Sequence, residues 1–370
     1  MGLAPYGRRT QVEALCDVVE LTPDGLFRVN LAWFAYQREA GFVSEQFLRR
    51  FGPPRVPKSE VTSHHEDLAR AVQEVTEEAG LHLTRALHAS TGMKNLALAG
   101  GVALNSVMNA RLLHETPFED IFIQASAGDA GNALGAALFQ WHHVLGNPRG
   151  WAMTHPFLGP EPTAAELSSA AEGSGLRWRR VQDPAAEAAA MLADSKIVGW
   201  FNGRAEIGPR ALGARSILAD PRRAEMKDIV NARVKHREPF RPFAPAVLHE
   251  RGHEYFEGYH LNPFMLLVLP VRHEQRSVIP AVTHVDGSGR LQSVTEDGFP
   301  QFHALIREFD KRTGVPVVLN TSFNVMGEPI VNTPEEAIHD FLETDMDALF
   351  LGDLVTEDHP ARAGGAEAGA

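Results

Sequence analysis

Apolar positions recur with helical spacing along one long segment in the first third of the chain. Between His64 and Ser90 the sequence reads HHEDLARAVQEVTEEAGLHLTRALHAS, and its apolar residues are spaced mainly three or four positions apart. Residues with this spacing share one face of a helix, so the segment predicts one long amphipathic helix. The first 60 residues carry no such pattern and predict only short, irregular pieces.

Two short apolar runs follow, and each ends in a glycine-rich turn before a new helical pattern. They read NLALAGGVALN and DIFIQASAGDAGNALGAALFQW. Alternation of helix, strand and glycine loop is typical of an α/β layer, in which ligands bind at the carboxyl ends of the strands. The pattern therefore predicts an α/β fold with a site near these two loops.

The segment 144–165, LGNPRGWAMTHPFLGPEPTAAE, interrupts the periodicity with glycines and prolines and predicts a linker. A second α/β unit is predicted after it. Its expected elements are helices at 163–174, 222–235 and from about 334, and strands at 195–201, 264–271, 315–320 and 347–351. The tail ARAGGAEAGA is of low complexity. We expect a first domain at 1–150, a second at 151–360 and a disordered tail at 361–370.

Composition narrows the possible partners. The chain has 35 Lys and Arg against 47 Asp and Glu, so its net charge is 35 − 47 = −12. An acidic protein lacks the basic surface on which nucleic-acid affinity rests, and we expect no nucleic-acid partner. A single cysteine, Cys16, excludes an intramolecular disulfide. The N-terminus lacks a signal-peptide pattern and no run approaches the ~20 apolar residues of a membrane span, so we expect a cytoplasmic protein without a membrane partner.

Six cations stand close together in this acidic chain, in GRAEIGPRALGARS and KHREPFRPFAPAV. They are Arg204, Arg210, Arg215, Lys235, Arg237 and Arg241. Arg210 follows a Gly-Pro pair and Arg241 precedes a proline, so a stiff backbone presents each guanidinium. A salt-bridge network with the local acids is the alternative, but these acids are fewer than the bases. The region predicts a pocket for a small dianionic phosphoryl compound.

The two glycine loops have a ligand-binding and a purely structural interpretation. Gly100, Gly101 and Asn105 suit a nucleotide phosphate at a helix N-terminus, or a tight turn between packed elements. Asp129 follows Gly128 and suits a divalent metal that bridges phosphates, or a helix N-cap. Taken together, the two loops favour nucleotide and metal.

Polar residues also follow a buried strand in VVLNTSFNVMGEPIV. Asn320 and Ser322 are donors suited to a carbonyl or phosphoryl oxygen, although Asn and Ser are also common turn formers. The segment DGSGRLQSV places Arg290 and Gln292 in a predicted glycine-rich turn, which is a further candidate for anion binding.

These motifs together resemble the O-carbamoyltransferases of the NodU/CmcH type. The matching stretches are MGLAPYG, LAGGVALN, AGDAGNALGAAL, GPRALGARSILADPR, FRPFAPAV and LNTSFNVMGEPIV, which occur in order along residues 1–352. The resemblance implies a partial actin/Hsp70/sugar-kinase-like domain, related to the tRNA threonylcarbamoyltransferases, followed by a YrdC-like α/β domain.

The resemblance also implies a reaction. Carbamoyl phosphate and ATP would react in the YrdC-like domain to give carbamoyl adenylate and pyrophosphate. The first domain would then transfer the carbamoyl group to an acceptor hydroxyl of a sugar or an antibiotic-like natural product. ATP would serve as co-substrate, with a divalent metal such as Mg or Fe.

Roles for individual residues follow from the same resemblance. Gly100, Gly101, Asn105 and Gly128 would bind nucleotide, and Asp129 would bind the metal. The residues that would hold carbamoyl phosphate and the adenylate are Arg210, Lys235, Arg241, Arg290, Asn320 and Ser322; of these, Arg210, Lys235 and Arg241 are the expected catalytic residues. In this family MGLAPYG follows a lobe with a metal-binding histidine pair, so we expect a truncated chain that needs a separate N-terminal lobe to complete transfer.

Two other functions stay open on the sequence. Threonylcarbamoyl transfer to tRNA shares the two implied fold types, although the acidic charge weighs against it. A non-catalytic subunit or remnant is the alternative outside enzymes, and its arginines would only hold the fold or a partner.

Overall fold

The computed structural model describes residues 1–36 and 41–359, and these form two compact units. The first unit comprises Met1–Leu98 and Asn105–Phe122, and the second comprises Ala99–Leu104 and the chain from Ile123 onward. The predicted tail at 361–370 lies outside the described residues. The predicted domains at 1–150 and 151–360 stay predictions.

A single long helix organises the first unit. Ser63–Thr91 forms this helix, with a capping box at Thr62 and a stop at Gly92, whose φ of +62° suits glycine. The prediction of a long helix here is confirmed. The elements of this unit are α1 (Val12–Leu15), β1 (Val19–Leu21), β2 (Phe27–Val29), α2 (Glu45–Phe51), α3 (Ser63–Thr91), β3 (Asn95–Leu98), α4 (Ser106–Glu115) and β4 (Asp120–Ile123).

Two small cores fill the first unit. Trp33 and Phe51 pack with α1 and with one end of α3, while Leu81 packs against Met108 and Leu112 of α4. The strands form two separate pairs, because β1 pairs with β2 in antiparallel fashion and β3 neighbours β4. The predicted irregular opening of the chain is therefore a set of short elements held on a long helix.

The second unit is built around a mixed sheet of nine strands within the described residues, in the order β5-β13-β12-β6-β7-β11-β8-β10-β9. Its elements are α5 (Asn132–Phe139), α6 (Ala164–Gly173), β5 (Arg179–Arg180), α7 (Pro184–Ala193), β6 (Val198–Phe201), β7 (Arg215–Ala219), α8 (Met226–Val230), β8 (Ala244–Leu248), α9 (Gly252–Tyr255), β9 (Leu267–Pro270), β10 (Ser288–Val294), α10 (Pro300–Thr313), β11 (Val317–Ser322), α11 (Pro334–Glu343), β12 (Ala348–Leu351) and β13 (Leu354–Thr356). Its central strands are almost wholly buried, which explains their continuous apolar sequences.

The large sheet and its helices confirm the α/β class. The helix expected at 222–235 is present from Met226 onward, as α8 followed by a π-helical turn, Asn231–Lys235. A different local prediction was wrong. The segment around Arg290 and Gln292, expected to be a glycine-rich turn, is instead strand β10. Gly289 lies inside the strand, where a Cβ would stand 3.3 Å from the Phe256 ring. No helix in the described ranges has both the length and the apolarity to cross a membrane.

Candidate functional site

Neighbouring strands of the large sheet carry three of the six predicted anion ligands. β10 carries Arg290, and β11 carries Asn320 and Ser322. Strand β8 lies between these two strands and pairs with both. Residues two apart on a strand point to the same face, so Asn320 and Ser322 lie on one face. The sheet register therefore brings together side chains that are about 30 positions apart in sequence.

The loop from Glu206 to Arg215, the arginine loop, is held in place by a carboxylate. Oε1 of Glu206 accepts hydrogen bonds from the backbone N–H groups of Leu212 (2.6 Å), Ala214 (3.3 Å) and Arg215 (3.3 Å). Leu212 and Ala214 precede strand β7, and the carboxylate satisfies their N–H groups and fixes the loop that presents Arg210.

We predict that Glu206→Ala lowers the free energy of unfolding by about 2–4 kcal/mol, because it leaves backbone donors unsatisfied. Glu206→Gln keeps an acceptor oxygen and should lose less. Urea denaturation of the full chain measures both. The matched control is Glu225→Ala, an exposed acid that pairs with Arg223, which should change stability by less than about 0.5 kcal/mol. Equal losses for Glu206→Ala and the control would contradict this role.

Three guanidinium groups, those of Arg210, Arg237 and Arg290, lie close enough to influence one another. Among the described residues, the Nε atoms of Arg210, Arg237 and Arg290 are buried and have no hydrogen-bond partner. Burial lowers the pKa of Arg210, and it lowers the pKa of Arg237 to about 10 with a smaller contribution from Arg241. Burial, followed by repulsion from Arg210 and Arg237, holds the pKa of Arg290 well below its ordinary value. The cluster concentrates positive charge in a small buried region.

Arg237 belongs to this cluster, although the predicted ligand set omits it. Arg241 was predicted as a ligand, but it is not one of the three clustered arginines. The Arg237 guanidinium lies 4.6 Å from the centroid of the Phe243 ring, and Nη2 donates to the Pro242 carbonyl at 3.3 Å. Arg241 is exposed and pairs with Glu238 at 2.9 Å. The sequence signal that could have identified Arg237 is its position directly after Lys235 and His236 at the end of a helical segment. His236 ends that segment in the left-handed conformation, with a φ of +45°.

Lys235 lies buried at the end of the π-helical turn and binds the segment after β11. Its Nζ donates to the carbonyl oxygens of Ser322 (2.6 Å) and Asn324 (2.8 Å), and Asn324 Oδ1 lies at 2.7 Å. Burial, followed by repulsion from Arg237, lowers its pKa to about 7. Lys235 and Ser322 are thus together, as predicted for a common ligand, although in this structure the lysine contacts protein oxygens.

Asn320 is fully buried, and its amide fastens β11 to the arginine loop. Its Nδ2 donates to the Ala211 carbonyl (3.2 Å) and to Gln292 Oε1 (3.0 Å). Arg215 also has a buried Nε without a hydrogen-bond partner among the described residues, but its other guanidinium atoms serve the fold. Arg215 donates to the carbonyl oxygens of Asn202 and Gly203, and its guanidinium stacks 3.6 Å from the centroid of the Phe201 ring.

The glycine loops of the second unit adjoin the arginine loop. Gly100 N donates to the Ala127 carbonyl at 2.8 Å, and a side chain on Gly128 would stand 3.8 Å from Gly101 Cα. Gly208 has a φ of +98°, and a Cβ there would stand 2.4 Å from the carbonyl oxygen of Ala125. Only glycine allows this approach, so the Gly-Pro pair before Arg210 packs against Ala125 in the segment that leads into Gly128.

Asp129 and Asn105 are placed differently from these loops. Asp129 is exposed beside Gly128 and makes no side-chain cap to the helix that follows. No group of three or more His, Cys, Asp or Glu side chains suited to a metal occurs in residues 1–36 and 41–359. Asn105 lies in the first unit, where it caps α4 and exchanges hydrogen bonds with Gln73. The metal and nucleotide roles of these residues stay predictions.

Family models match most of the chain. Residues 1–138 match the carbamoyltransferase N-terminus, and residues 189–358 match the carbamoyltransferase C-terminus. The chain belongs to the carbamoyltransferase family. The arginine loop and its sheet face therefore lie within the C-terminal region of a carbamoyltransferase, and the Gly100 and Asp129 loops lie within the N-terminal region.

Curated relatives of this carbamoyltransferase chain are similar over nearly all of it. An uncharacterized protein of Synechocystis, sll1178, is 43% identical over 96% of the chain, which covers 63% of that protein. Nodulation protein NolO of Bradyrhizobium diazoefficiens is 43% identical over 98%, covering 65% of NolO. Nodulation protein NolNO of Sinorhizobium fredii is 41% identical over 98%, covering 53%. The chain thus spans between half and two thirds of the length of these relatives.

Among solved structures, full-length HypF in a phosphate- and nucleotide-bound form matches 67% of this chain and 40% of its own. The sequence identity is 14% and the TM-score is 0.31.

Proposed function

We propose that this chain forms the carbamoyl-activating part of an O-carbamoyltransferase, in which carbamoyl phosphate and ATP yield carbamoyl adenylate. The observation that carries the proposal is the cluster of Arg210, Arg237 and Arg290, whose buried Nε donors lack partners within the described ranges. A doubly charged phosphoryl group supplies several acceptor oxygens and the missing negative charge in one small volume. The C-terminal family match, which contains all three arginines, supports a carbamoylated phosphoryl compound as that ligand.

Atom balance fixes the products of the proposed step. Carbamoyl adenylate contains one carbamoyl and one AMP group, so the phosphoryl group of carbamoyl phosphate must leave as inorganic phosphate with uptake of water. A carbamate oxygen then attacks the α-phosphorus of ATP and displaces pyrophosphate. The arginines would hold the phosphoryl oxygens and stabilise the charge that develops on them, which is the main contribution a protein makes to such a transfer.

Nucleotide binding at Gly100, Gly101, Asn105 and Gly128 is part of the proposal, and the exposed backbone of the first two glycines suits it. Nothing within 4 Å would meet a side chain on Gly100 or Gly101. Asp129 alone is a poor divalent-metal site, because such cations take several oxygen ligands. The proposed reaction steps are therefore written without a metal ion. We propose that the acceptor is a hydroxyl of a sugar or natural product, in line with relatives named as nodulation proteins. We also propose that the protein acts in the cytoplasm.

The test is a binding measurement followed by a half-reaction with the purified chain. We expect calorimetry to detect carbamoyl phosphate binding, and we expect pyrophosphate release from ATP only when carbamoyl phosphate is present. An absence of binding at millimolar carbamoyl phosphate would overturn the proposal. Binding without pyrophosphate release would leave the anion site intact and favour a non-catalytic subunit.

A further inference from the structure

Two buried amide side chains connect the sheet to the carbonyl groups of the arginine loop. Gln292 Nε2 donates to the Leu212 carbonyl at 2.8 Å. Asn320 Nδ2 donates both to Gln292 Oε1 at 3.0 Å and to the Ala211 carbonyl at 3.2 Å. Neither Gln292 nor Asn320 is more than 1% exposed, so water does not compete for these groups.

The direction of this hydrogen-bond chain is determined by its ends. A backbone carbonyl can only accept, so Leu212 requires the N–H₂ of Gln292 and turns the Gln292 oxygen toward Asn320. That oxygen and the Ala211 carbonyl together require both N–H bonds of Asn320. The Asn320 amide therefore cannot flip without losing two hydrogen bonds, and its Oδ1 must be the free end.

The free end is a buried acceptor without a donor. Asn320 Oδ1 has no hydrogen-bond partner in the part of the chain that the structure describes. A buried amide oxygen without a donor is costly, and a position where one persists calls for an explanation such as an ordered water, an ion or a ligand. The two amides meet across strand β8, where Ala244 is the register partner of Asn320 and Ala246 that of Gln292.

The position of this acceptor joins it to the anion site. Gln292 follows Arg290 by two residues on β10, so their side chains share a sheet face. Asn320 bonds the carbonyl of Ala211, the neighbour of Arg210. The same small region thus offers cations for a phosphoryl group and one neutral acceptor.

We infer that Gln292 is a specificity-determining positioning residue: it orients Asn320 so that the Asn320 oxygen accepts an N–H from the carbamoyl group. This inference rests on the proposed function. Carbamoyl phosphate carries an NH₂ where acetyl phosphate carries a CH₃ of similar size. The carbamoyl N–H completes the buried acceptor, whereas the methyl group leaves it unsatisfied. Selection against an analogue that lacks a hydrogen-bonding group is stronger than selection by size alone.

A purely structural role for Gln292 makes a different prediction. If the two amides only fasten the loop, the Gln292→Met variant loses stability and binds both acyl phosphates more weakly in equal proportion. If Gln292 orients Asn320, the same variant lets the Asn320 amide rotate, and the preference for carbamoyl phosphate falls. The ratio of the two affinities, measured in one protein, therefore separates the two roles.

Calorimetry of the full chain with carbamoyl phosphate, acetyl phosphate and inorganic phosphate tests the inference. We expect the wild type to prefer carbamoyl over acetyl phosphate by about tenfold or more, and Gln292→Met to reduce that preference to about twofold, with the affinity for inorganic phosphate within about threefold of wild type. The matched control is Ser293→Ala. Ser293 is the next residue on β10, equally buried, and bonds Tyr259 and Asn262 instead. It should keep the wild-type preference.

The outcomes distinguish the inference from the function on which it rests. No binding of carbamoyl phosphate by the wild type would overturn the proposed function. Equal binding of carbamoyl and acetyl phosphate by the wild type would overturn only the inference, and this measurement needs no variant. A Gln292→Met protein that binds inorganic phosphate and keeps the full preference would overturn it as well.

Discussion

Replacing Arg210 by alanine is expected to weaken carbamoyl phosphate binding by about 10- to 100-fold, the range for losing hydrogen bonds to a charged group. The loop that carries Arg210 is held in place, because Gly208 packs on Ala125 and Glu206 accepts a hydrogen bond from the backbone that follows. We therefore expect that the loop cannot shift to put another cation in the position of Arg210. Arg210→Lys keeps a charge but loses the planar fork, so it should recover only part of the affinity. Titration calorimetry measures each constant.

The matched control for this substitution is Arg204→Ala. Arg204 belongs to the same cationic stretch but is about half exposed, and it pairs with Glu161. Its loss should change the affinity by less than about threefold, because exposed charges are screened by solvent. Equal losses at the two positions would show that the general positive field, and not the pocket, holds the anion.

The same pocket should reduce the stability of the empty protein. Arg210 and Arg237 both lower the pKa of the buried Arg290, so the three charges repel one another when no anion is present. Arg210→Met is therefore expected to raise the free energy of unfolding by about 1 kcal/mol while it removes binding. An increase in the free energy of unfolding would show that the empty site destabilises the fold. A decrease would show that Arg210 stabilises the fold and would contradict this prediction.

Individual residue types of the candidate site could be predicted from local sequence patterns, but not which distant residues lie beside them in the fold. Arg210 and the polar ends of β11 were predictable, because glycine, proline and strand patterns mark where a side chain is presented. Their assembly depends on the register of β10 and β11 against β8, which no local pattern encodes. For the same reason Arg237 was left out of the predicted ligand set. The sequence also did not predict that Glu206 accepts hydrogen bonds from three backbone N–H groups.

The error around Arg290 has a physical cause. Glycines and Asp in DGSGR are turn formers, and the turn does occur, at His284–Ser288, where Ser288 N bonds the Asp286 side chain. Pairing with β9 and β8 then extends the strand from Ser288. A glycine within a strand is favoured where another group approaches closely, as Phe256 approaches Gly289. Composition cannot distinguish that use of glycine from a turn.

Lys235 should make anion binding depend on pH in the neutral range. Its pKa is lowered to about 7 by burial and then by Arg237, while Asp340 opposes the shift. The pKa of Asp340 is itself raised to about 6, mainly by burial. A bound anion favours the charged ammonium, so the complex binds more protons than the free protein above about pH 7. By linkage, affinity must then fall as the pH rises from about 7 to 9, by at most ~10-fold per pH unit.

Ionisation of the ligand has the opposite effect and raises the affinity as the pH rises. That ionisation is largely complete below the range from about pH 7 to 9. The second ionisation of a phosphoryl group lies near pH 6, so the dianion is already the main species at about pH 7. We therefore expect maximal affinity near pH 7 and a decline above it in calorimetric titrations. Lys235→Met removes the group that titrates, so its weaker binding should be flat between pH 7 and 9. A wild-type affinity that stays constant over that range would show that Lys235 keeps its contacts with Ser322 and Asn324 when the anion binds.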